Sequence, residues 1–450
     1  MKADTLFLWF LGNPAIPAYV GELNYVVKGK GVSLRYGSDW LENGFALSGD
    51  LPLTDAEFLP PTRMQSHEPR AVGAVDDARP DRWGEKVIRF IDRPERQSLM
   101  EFLYYAGDER FGALGVSTSA SSYTPRAGGP IPRLEDAQQL SEVAQKINAS
   151  EPLTEQEARI ISGGGSPLGG AKPKAIIAIE GKQWLIKFFN NEPVDLPLIE
   201  HAAMTLAARA GITVATTQVI PLEGSNAIAV ARFDRDDGRR IHSISAGTAI
   251  RAASIAGIDP DLGYPQLAEV LRRSGVTDDD QNMRDVRELF RRMVFNILID
   301  NTDDHEKNHS LLIARPELYG TMRLAPAYDI VPSGSGQGHQ EFICGIRGQE
   351  SSLENAMSEC SMFALRTVEA AQIIQSVIEV VNEWKAHFRQ VGVCETDIAY
   401  LACQIDGAHL LSQRQSFDLA AHSSPPASGR KRKNPFSPGS DEMISRARRP

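Results

Sequence analysis

Residues 301–308, with the sequence NTDDHEKN, gather carboxylates, amides and an imidazole in one short segment. The segment follows an amphipathic helical pattern, and the pair Tyr328 and Asp329 comes shortly after it. Four residues separate Asp303 from Asn308, a spacing at which one loop can offer a base to a substrate hydroxyl and an oxygen ligand to a metal ion. Asp329 would be the second metal ligand. These residue types and spacings predict metal-assisted phosphoryl transfer.

Three features that precede this segment could complete such a site, because phosphoryl transfer needs groups that hold phosphates and neutralise their charge. The glycine-rich residues 163–174 offer backbone N–H groups without Cβ obstruction, but they lack the G-x-x-x-x-G-K-[S/T] pattern of P-loop NTPases. Lys187 lies on a predicted strand after that loop, and Glu200, early in the next predicted helix, could pair with it. Their order along the chain is that of a protein kinase.

Each feature also has an ordinary structural explanation. A glycine-rich loop is often a flexible connector, Lys187 could be a surface lysine, and Glu200 could be a first-turn residue favoured by the helix dipole. The 301–308 segment could be a turn, since Asp and Asn favour turns. A metal hydrolase is a further interpretation, with the candidate ligands Asp303, Asp304, His305 and His309. The conjunction of all the features favours phosphoryl transfer.

Composition limits the classes of protein to which this chain can belong. Its 450 residues exceed one compact core, so two or three lobes are expected. The formal net charge of −10 argues against a surface that coats DNA, since phosphate binding needs clustered Lys and Arg. The four cysteines form no C-x-x-C pair, which disfavours a zinc site and fits a reducing compartment. No apolar stretch approaches the roughly 20 residues that span a bilayer, so a cytoplasmic protein is expected.

Hydrophobic periodicity and turn residues divide the first half of the chain into short elements. The N-terminal part predicts strands at residues 5–11, 21–27, 32–36 and 44–48, and then helices at 81–88 and 97–105. Residues 117–133 have the composition of a linker, and a helix is predicted at 134–148. After the glycine-rich segment, the pattern predicts a hairpin of 175–180 and 183–189, a helix at 198–210, and strands at 213–221 and 227–233.

The second half of the chain predicts mainly helices. They are expected at residues 265–273, 284–300, 366–389 and 395–412, with short strands at 310–313 and 322–326. The helix at 284–300 carries apolar residues at the i, i+3, i+4 spacing of a buried stripe. Residues 415–450 are rich in Ser, Pro and basic side chains, including the basic run 430–433, and they predict a disordered tail.

With these motifs, the chain resembles the HipA family of kinases, the toxin components of bacterial type II toxin–antitoxin pairs. The resemblance extends over nearly the whole chain to about residue 412. The segments that carry it are VGEL at 20–23, PDRWG at 80–84, YYAGDERFGALG at 104–115, GGAKPKA at 169–175, WLIK at 184–187, ARFDR at 231–235, NTDDHEKN at 301–308 and YDI at 328–330. The family often has Glu where this chain has Ala231.

The resemblance implies roles for individual residues. Asp303 would be the catalytic Asp, and Asn308 and Asp329 would hold Mg²⁺. Lys187 would contact the ATP phosphates and pair with Glu200. The other ATP contacts would come from the loop over the phosphates, the hinge at the adenine and the catalytic loop, namely Gly169, Gly170, Ala171, Lys174, Arg232, Phe233, Asp234 and His305.

The fold that the resemblance implies is α+β, a two-lobed protein-kinase-like fold with an N-terminal β-rich subdomain and a mainly helical C-terminal lobe. The expected units are the N-terminal subdomain, the kinase N-lobe with its linker helix, the C-lobe and the tail, at residues 1–116, 117–240, 241–412 and 413–450. Some family members autophosphorylate a serine of the glycine-rich loop and so lose activity. Ser166 is the candidate for that serine, and Ser162 is the fallback.

The function that the resemblance implies is that of an ATP- and Mg²⁺-dependent serine/threonine protein kinase. Its substrate would be a protein such as an aminoacyl-tRNA synthetase, whose phosphorylation arrests growth. The expected partner is a HipB-like helix-turn-helix antitoxin, with DNA held only indirectly through that partner and no membrane involved. Two rivals remain: a small-molecule kinase of the same fold, and a non-catalytic nucleotide-binding or repressor module whose basic tail contacts nucleic acid.

Overall fold

The computed structural model describes residues 3–27, 30–60, 69–164, 172–189, 192–254, 258–315, 321–333 and 338–422. Within these ranges, an N-terminal β-rich unit, a four-stranded sheet with flanking helices and a helical C-terminal part pack together. A large apolar core joins the N-terminal unit to the C-terminal helices, and a smaller core lies on the other face of the four-stranded sheet. The site must therefore be sought where these parts meet.

The N-terminal unit is built on an antiparallel sheet. Its strands are β1 (Thr5–Phe10), β2 (Ala18–Val26), β3 (Gly31–Tyr36), β4 (Glu57–Phe58) and β5 (Leu114–Ser117). Their order is β4-β3-β2-β1-β5. Alternate side chains such as Leu6 and Leu8 are buried, as expected when one face of a sheet covers a core. The strands predicted at 5–11, 21–27 and 32–36 are present, whereas β5 was not predicted.

Residues 44–48 do not form the predicted strand, although Phe45 and Leu47 are buried. Side chains, not a neighbouring strand, satisfy the backbone of this segment. The Phe45 carbonyl accepts a hydrogen bond from Trp40 Nε1 at 3.0 Å, and the Leu47 carbonyl accepts one from His242 Nε2 at 2.8 Å. The burial that suggested a strand is therefore achieved by an irregular segment with side-chain partners.

Six α-helices of the described residues precede the second sheet: α1 (Ser38–Asn43), α2 (Gly73–Asp77), α3 (Arg82–Ile91), α4 (Leu99–Tyr105), α5 (Ala137–Ala149) and α6 (Glu155–Gly164). Those predicted at 81–88, 97–105 and 134–148 are present, and α6 was not predicted. Asp81 caps α3, because its carboxylate accepts from the Gly84 N–H at 2.7 Å. At Gly163 a Cβ would lie 2.0 Å from the Pro130 carbonyl oxygen, so the linker packs directly on the backbone of α6.

The second sheet is antiparallel, with strands β6 (Lys174–Ile179), β7 (Lys182–Phe188), β8 (Thr217–Leu222) and β9 (Ser225–Ala231) in the order β6-β7-β9-β8. Helix α7 (Leu196–Arg209) connects β7 to β8. The predicted hairpin is confirmed, and its turn is Glu180–Gly181, where both residues have positive φ as in a type I′ turn. Its register places Lys174 directly opposite Lys187.

The C-terminal part begins with two small sheets. Strands β10 (Arg235–Asp236) and β11 (Arg239–Arg240) form a short hairpin, and β12 (Ser243–Ser245), β13 (Ser310–Arg315) and β14 (Thr321–Leu324) form a three-stranded sheet in that order. The helices are α8 (Ala246–Ala252), α9 (Tyr264–Ser274), α10 (Gln281–Leu298), α11 (Leu353–Ser358), α12 (Thr367–Asn382), α13 (Trp384–Val391), α14 (Glu395–Ile405) and α15 (Ala408–Ser416).

The helices predicted at 366–389 and 395–412 are each divided in two. Asp406, between α14 and α15, accepts hydrogen bonds from Trp384 Nε1 at 3.1 Å and from an Arg414 nitrogen at 2.5 Å. Because Trp384 begins α13, the Asp406 carboxylate connects the break between α12 and α13 to the break between α14 and α15. A pattern within one helix does not report such a tertiary contact. Helix α15 also continues to Ser416, past the boundary expected at 412.

Helix α10 carries the predicted apolar stripe and is the centre of the large core. Leu289, Phe290, Met293 and Val294 are all fully buried. The helix ends at Leu298, directly before residues 301–308, so its packing determines where that loop leaves the core. Across the ranges that the structure describes, no helix is long and apolar enough to cross a membrane.

Candidate active site

Three of the predicted site residues meet at one ammonium group. Lys187 Nζ on β7 lies 2.8 Å from Glu200 Oε1 on α7 and 2.5 Å from Asp329 Oδ1. The side chains of Lys187 and Glu200 are nearly inaccessible to solvent, whereas that of Asp329 is 43% exposed. Strand β7, helix α7 and the segment after β14 thus bring together residues that are far apart in the chain.

The electrostatics of this cluster favour a charged Lys187. Burial alone would lower the pKa of Lys187, but the carboxylates of Asp329 and Glu200 raise it above its ordinary value. Burial alone would raise the pKa of Asp329, but Lys187, Lys174 and His305 lower it. Asp329 therefore lies within electrostatic reach of both lysines and of the 301–308 loop.

The 301–308 loop is held by its own backbone and by Ser333. The Ser333 hydroxyl accepts from the Thr302 N–H at 2.8 Å and from the Asp303 N–H at 3.1 Å. Asn308 Nδ2 donates to the Asp303 carbonyl at 3.2 Å, so the two ends of the Asp-to-Asn spacing are tied together. The Asp303 side chain is left on the exposed side of the loop, where a substrate can reach it.

Tyr328 connects this loop to Asp329. Its hydroxyl donates to the Lys307 carbonyl at 2.6 Å and lies 2.7 Å from Ser310 Oγ. The next residue, Asp329, has a φ of +59°, an uncommon left-handed conformation for a residue with a side chain. The bond from Tyr328 therefore keeps the loop beside the carboxylate that contacts Lys187.

A buried network lies beneath the loop and separates Asp304 from Asp303. Asp304 accepts hydrogen bonds from the Tyr264 hydroxyl and from His309 Nε2, the latter at 3.1 Å. Asn296 Nδ2 donates to the same Tyr264 hydroxyl at 2.9 Å. Asp304 and His309 are thus internal partners of each other, while Asp303 is exposed, which disfavours the metal-hydrolase interpretation. No local sequence signal separates these two neighbouring aspartates, because the acceptor role of Asp304 depends on the distant Tyr264.

Lys174 is joined to the site from an unexpected direction. Its Nζ lies 3.0 Å from Asp81 Oδ2, and its carbonyl accepts from Trp83 Nε1 at 2.8 Å. The sequence indicates residues 80–84 as a family motif at the start of a predicted helix, and it predicts no role in the site for Asp81. The two partners of Lys174 come from the turn that begins α3, outside the four-stranded sheet.

The hinge residues Arg232 and Asp234 form an ion cluster with the N-terminal unit. The Arg232 guanidinium donates to both Asp234 carboxylate oxygens, at 2.9 and 2.7 Å, and to the carbonyls of Glu109 and Arg110 at 3.0 and 2.9 Å. Asp234 also accepts from the Gly112 N–H at 2.8 Å. The side chains of Arg232 and Asp234 thus bind other protein groups, so the adenine contacts predicted for this segment could come only from its backbone.

Phe233 lies between these two residues and faces the site. Its ring centroid is 5.4 Å from that of Tyr328 and 5.7 Å from that of Phe111. The Arg232 N–H donates to the Gln183 carbonyl, and the Asp234 carbonyl accepts from the Ile241 N–H.

Gly169, Gly170, Ala171 and Ser166 lie outside the described residues, as does most of the loop expected over the phosphates. The fallback Ser162 lies in α6, where its hydroxyl donates to the Ala158 carbonyl at 2.6 Å.

The candidate metal ligands Asn308 and Asp329 suit Mg²⁺, which takes hard oxygen donors. Asn308 Nδ2 donates to the loop backbone, so Oδ1 is the Asn308 atom that could bind a metal ion, and the Asp329 side chain is 43% exposed. In the part of the chain that the structure describes, no group of three or more His, Cys, Asp or Glu could hold a metal ion. Two protein oxygens fit a Mg²⁺ that completes its shell with phosphates and water.

Two family models match this chain. Residues 18–117 match the HipA N-terminal domain, and residues 166–384 match the HipA-like C-terminal domain. The chain is also similar to a chain of the Shewanella oneidensis toxin–antitoxin complex of HipA, HipB and operator DNA, with a TM-score of 0.62 and 16% identity over 92% of this chain and 97% of that chain. At that identity the likeness shows the fold, and it confirms the predicted α+β, kinase-like architecture.

Two of the chain's curated relatives match part of its length. A Sinorhizobium fredii protein named "Putative kinase Y4dM" is 27% identical over 246 residues, which are 50% of this chain and 55% of that protein. A Haemophilus influenzae protein named "Putative kinase" is 26% identical over 153 residues, which are 31% of this chain and 43% of that protein. The chain thus spans about half the length of the curated relatives that it matches.

Proposed function

The chain belongs to the HipA family, and from that premise we propose that it is an ATP- and Mg²⁺-dependent serine/threonine protein kinase. The observation that carries the proposal is the contact of Lys187 Nζ with both Glu200 and Asp329, next to a loop that presents Asp303. A lysine paired with a helix glutamate, a metal-binding Asp and a loop Asp and Asn five positions apart are the parts that kinases use.

The residues of this chain would divide the work as follows. Lys187, kept charged by its two carboxylates, would bind phosphate oxygens. Asn308 and Asp329 would hold Mg²⁺, which when bound supplies neutralisation of phosphate charge. Asp303 would accept a hydrogen bond from the substrate hydroxyl and orient it for attack. Phosphoryl transfer depends mainly on such positioning and electrostatics, so an exposed Asp303 and a buried, charged Lys187 are suited to it.

The substrate and partner belong to the same proposal. The family resemblance supports a protein substrate connected with translation, such as an aminoacyl-tRNA synthetase, and growth arrest as the consequence. It also supports a HipB-like antitoxin with a helix-turn-helix fold as the partner, and the similar Shewanella structure is a complex of HipA, HipB and operator DNA. The net charge of −10 suits a chain that meets DNA through its partner.

A small-molecule kinase and a non-catalytic nucleotide-binding module are the alternatives. Purified chain, radiolabelled ATP, Mg²⁺ and cell lysate would separate them. We expect a labelled protein band other than the chain itself, and no such band with Asp303→Ala. Label found only in small molecules would favour the first alternative. If both wild type and variant leave all proteins and small molecules unlabelled, the kinase proposal is wrong.

A further inference from the structure

Asp81 lies outside the sheet that carries Lys187, yet its carboxylate reaches the candidate site. Asp81 Oδ2 is 3.0 Å from Lys174 Nζ, and the two side chains are only 10% and 5% exposed. The Asp81 carboxylate also caps α3 through the Gly84 N–H. Because the cap fixes the rotamer of Asp81, the direction in which it holds the lysine is fixed as well.

Two lysines face the same side of the sheet in this site. Lys174 and Lys187 are directly opposite each other in the β6–β7 pair, and opposite residues of an antiparallel pair point to one face with their Cβ atoms about 5 Å apart. Like charges in that arrangement are destabilising. Each lysine has its own carboxylate, Asp81 for Lys174 and Glu200 for Lys187. The repulsion between the two lysines is offset by these carboxylates, and binding of an anionic ligand between the lysines would explain why both are present.

The charge state of Lys174 depends on that compensation. Burial lowers the pKa of Lys174, and the neighbouring Lys187 lowers it further, while Asp81 and more weakly Asp329 oppose both effects. Burial raises the pKa of Asp81 above its ordinary value, while Lys174 and more weakly Lys307 of the catalytic loop oppose this, so the carboxylate also lies within electrostatic reach of the loop. Asp81 is therefore the direct ionic partner of Lys174, which in turn interacts electrostatically with Lys187 and Asp329.

Helix α3 holds the backbone of Lys174 as well as its side chain. Trp83 Nε1 donates to the Lys174 carbonyl at 2.8 Å, and the buried Trp83 ring belongs to the core that strands β6 and β7 share with α5. The turn at 81–84 thus contacts Lys174 at two separate atoms. The Trp83 contact holds the main chain of Lys174, and the Asp81 contact directs its ammonium group.

We propose that Asp81 is a positioning residue of the phosphotransfer site, which holds Lys174 so that two ammonium groups face the nucleotide phosphates. This inference rests on the proposed kinase function and deepens it. It makes the N-terminal unit a contributor to nucleotide affinity, through α3. A mere docking ion pair would add to the stability of the fold and would leave the affinity of the folded protein for nucleotide unchanged.

The test is calorimetric titration of the full chain with ATP and Mg²⁺. Asp81→Asn keeps a good helix cap but removes the charge. It should weaken binding about tenfold, the factor expected from loss of about 1.4 kcal/mol in a charge-assisted contact. Lys174→Met should weaken binding at least as much. In the Lys174→Met background, Asp81→Asn should change the Kd by less than about twofold, because the two residues act as one unit.

Steady-state kinetics provides a second readout. The KM for ATP should rise with the Kd in Asp81→Asn while kcat changes by less than about threefold, since the contact is to bound nucleotide and not to the reacting hydroxyl. Asp92→Asn is the matched control, because Asp92 sits at the other end of α3 and pairs with Arg126 at 2.7 Å, away from the site. It should leave Kd and KM unchanged. Asp81→Ser, also a good cap, replaces Asp81→Asn if the latter does not fold.

The outcomes are distinct. A Kd for Asp81→Asn equal to or tighter than that of wild type would overturn the inference, and so would full additivity with Lys174→Met. If wild type itself binds no ATP with Mg²⁺, the proposed function fails first and the inference falls with it. Binding by wild type together with an unaffected Asp81→Asn would leave the kinase proposal standing and remove only the role of Asp81.

Discussion

Lys187 and Glu200 form a buried ion pair, 2.8 Å between Nζ and Oε1, that joins strand β7 to helix α7. The pair places a cation on one face of the four-stranded sheet, where it also contacts Asp329. In a kinase, this is the arrangement that prepares a lysine to bind phosphates. The same relationship makes clear predictions for stability and activity.

Lys187→Met should destabilise the fold and abolish phosphotransfer. Glu200, which is 1% exposed, would lose its cation, and breaking a buried pair costs about 3–5 kcal/mol. Urea unfolding should show this loss. The double variant Lys187→Met with Glu200→Leu should recover most of the free energy of unfolding but none of the activity, because apolar packing replaces the pair without replacing its charge. Phosphotransfer by either variant would show that Lys187 is not needed.

Substitution of Asp303 should reduce activity, whereas substitution of the neighbouring Asp304 should reduce stability. Asp303→Ala should reduce phosphotransfer at least about 100-fold and change the free energy of unfolding by no more than about 0.5 kcal/mol, because its side chain is exposed. Asp304→Ala should cost about 2 kcal/mol or more, since it leaves the buried Tyr264 hydroxyl and His309 Nε2 without their acceptor. Thermal unfolding and labelling assays on the two variants together check the distinction. A destabilised Asp303→Ala with normal transfer would contradict it.

Asp234→Asn should loosen the contact between the hinge and the N-terminal unit. Burial opposes the charge of Asp234, but Arg232 and Arg235 lower its pKa to about 2. Removing that charge leaves the guanidinium groups of Arg232 and Arg235 without their shared carboxylate, which should lower the free energy of unfolding by about 3 kcal/mol. Chemical denaturation and the rate of limited proteolysis should both report the loss. Asp236→Asn, at an exposed position on β10, is the control and should change stability by no more than about 0.5 kcal/mol.

The free energy of unfolding should decrease as the pH is lowered, because His242 is buried in its neutral form. Burial lowers the pKa of His242 from 6.5 to about 4, and its Nε2 donates to the Leu47 carbonyl. Between these two values the unfolded chain binds a proton that the native protein does not, so stability decreases as pH falls from 6.5 toward 4, by up to about 3 kcal/mol. His242→Gln should remove this part of the pH dependence in urea unfolding curves. An identical pH slope in the variant and wild type would contradict the assignment.

Local pattern was sufficient where one element determines the outcome. The stripe on α10 and the alternation in β6 and β7 predicted those elements, because their apolar periods follow directly from backbone geometry. The Asp-to-Asn spacing indicated the loop for the same reason, since both residues lie in one short segment. The roles assigned to Asp303, Asn308, Asp329 and Lys187 stay predictions until they are measured.

Tertiary contacts account for what the sequence could not indicate. Residues 44–48 have the apolar pattern of a strand, but side chains such as Trp40 satisfy their backbone. Asp81 and Lys174 are separated by more than 90 residues, and no local period connects a helix cap to a strand on another unit. The inward direction of Asp304 likewise depends on Tyr264, which lies 40 residues earlier in the chain.

Calorimetric titration of wild type and Asp329→Asn with ATP, in the presence of Mg²⁺ and of a chelator, tests the central claim most directly. If Lys187, Asn308 and Asp329 surround a magnesium–nucleotide site, wild type should bind ATP at least about tenfold more tightly with Mg²⁺, a difference of about 1.4 kcal/mol. Asp329→Asn should lose that dependence on Mg²⁺. Absence of ATP binding by wild type, or an equal Mg²⁺ dependence in Asp329→Asn, would contradict the site.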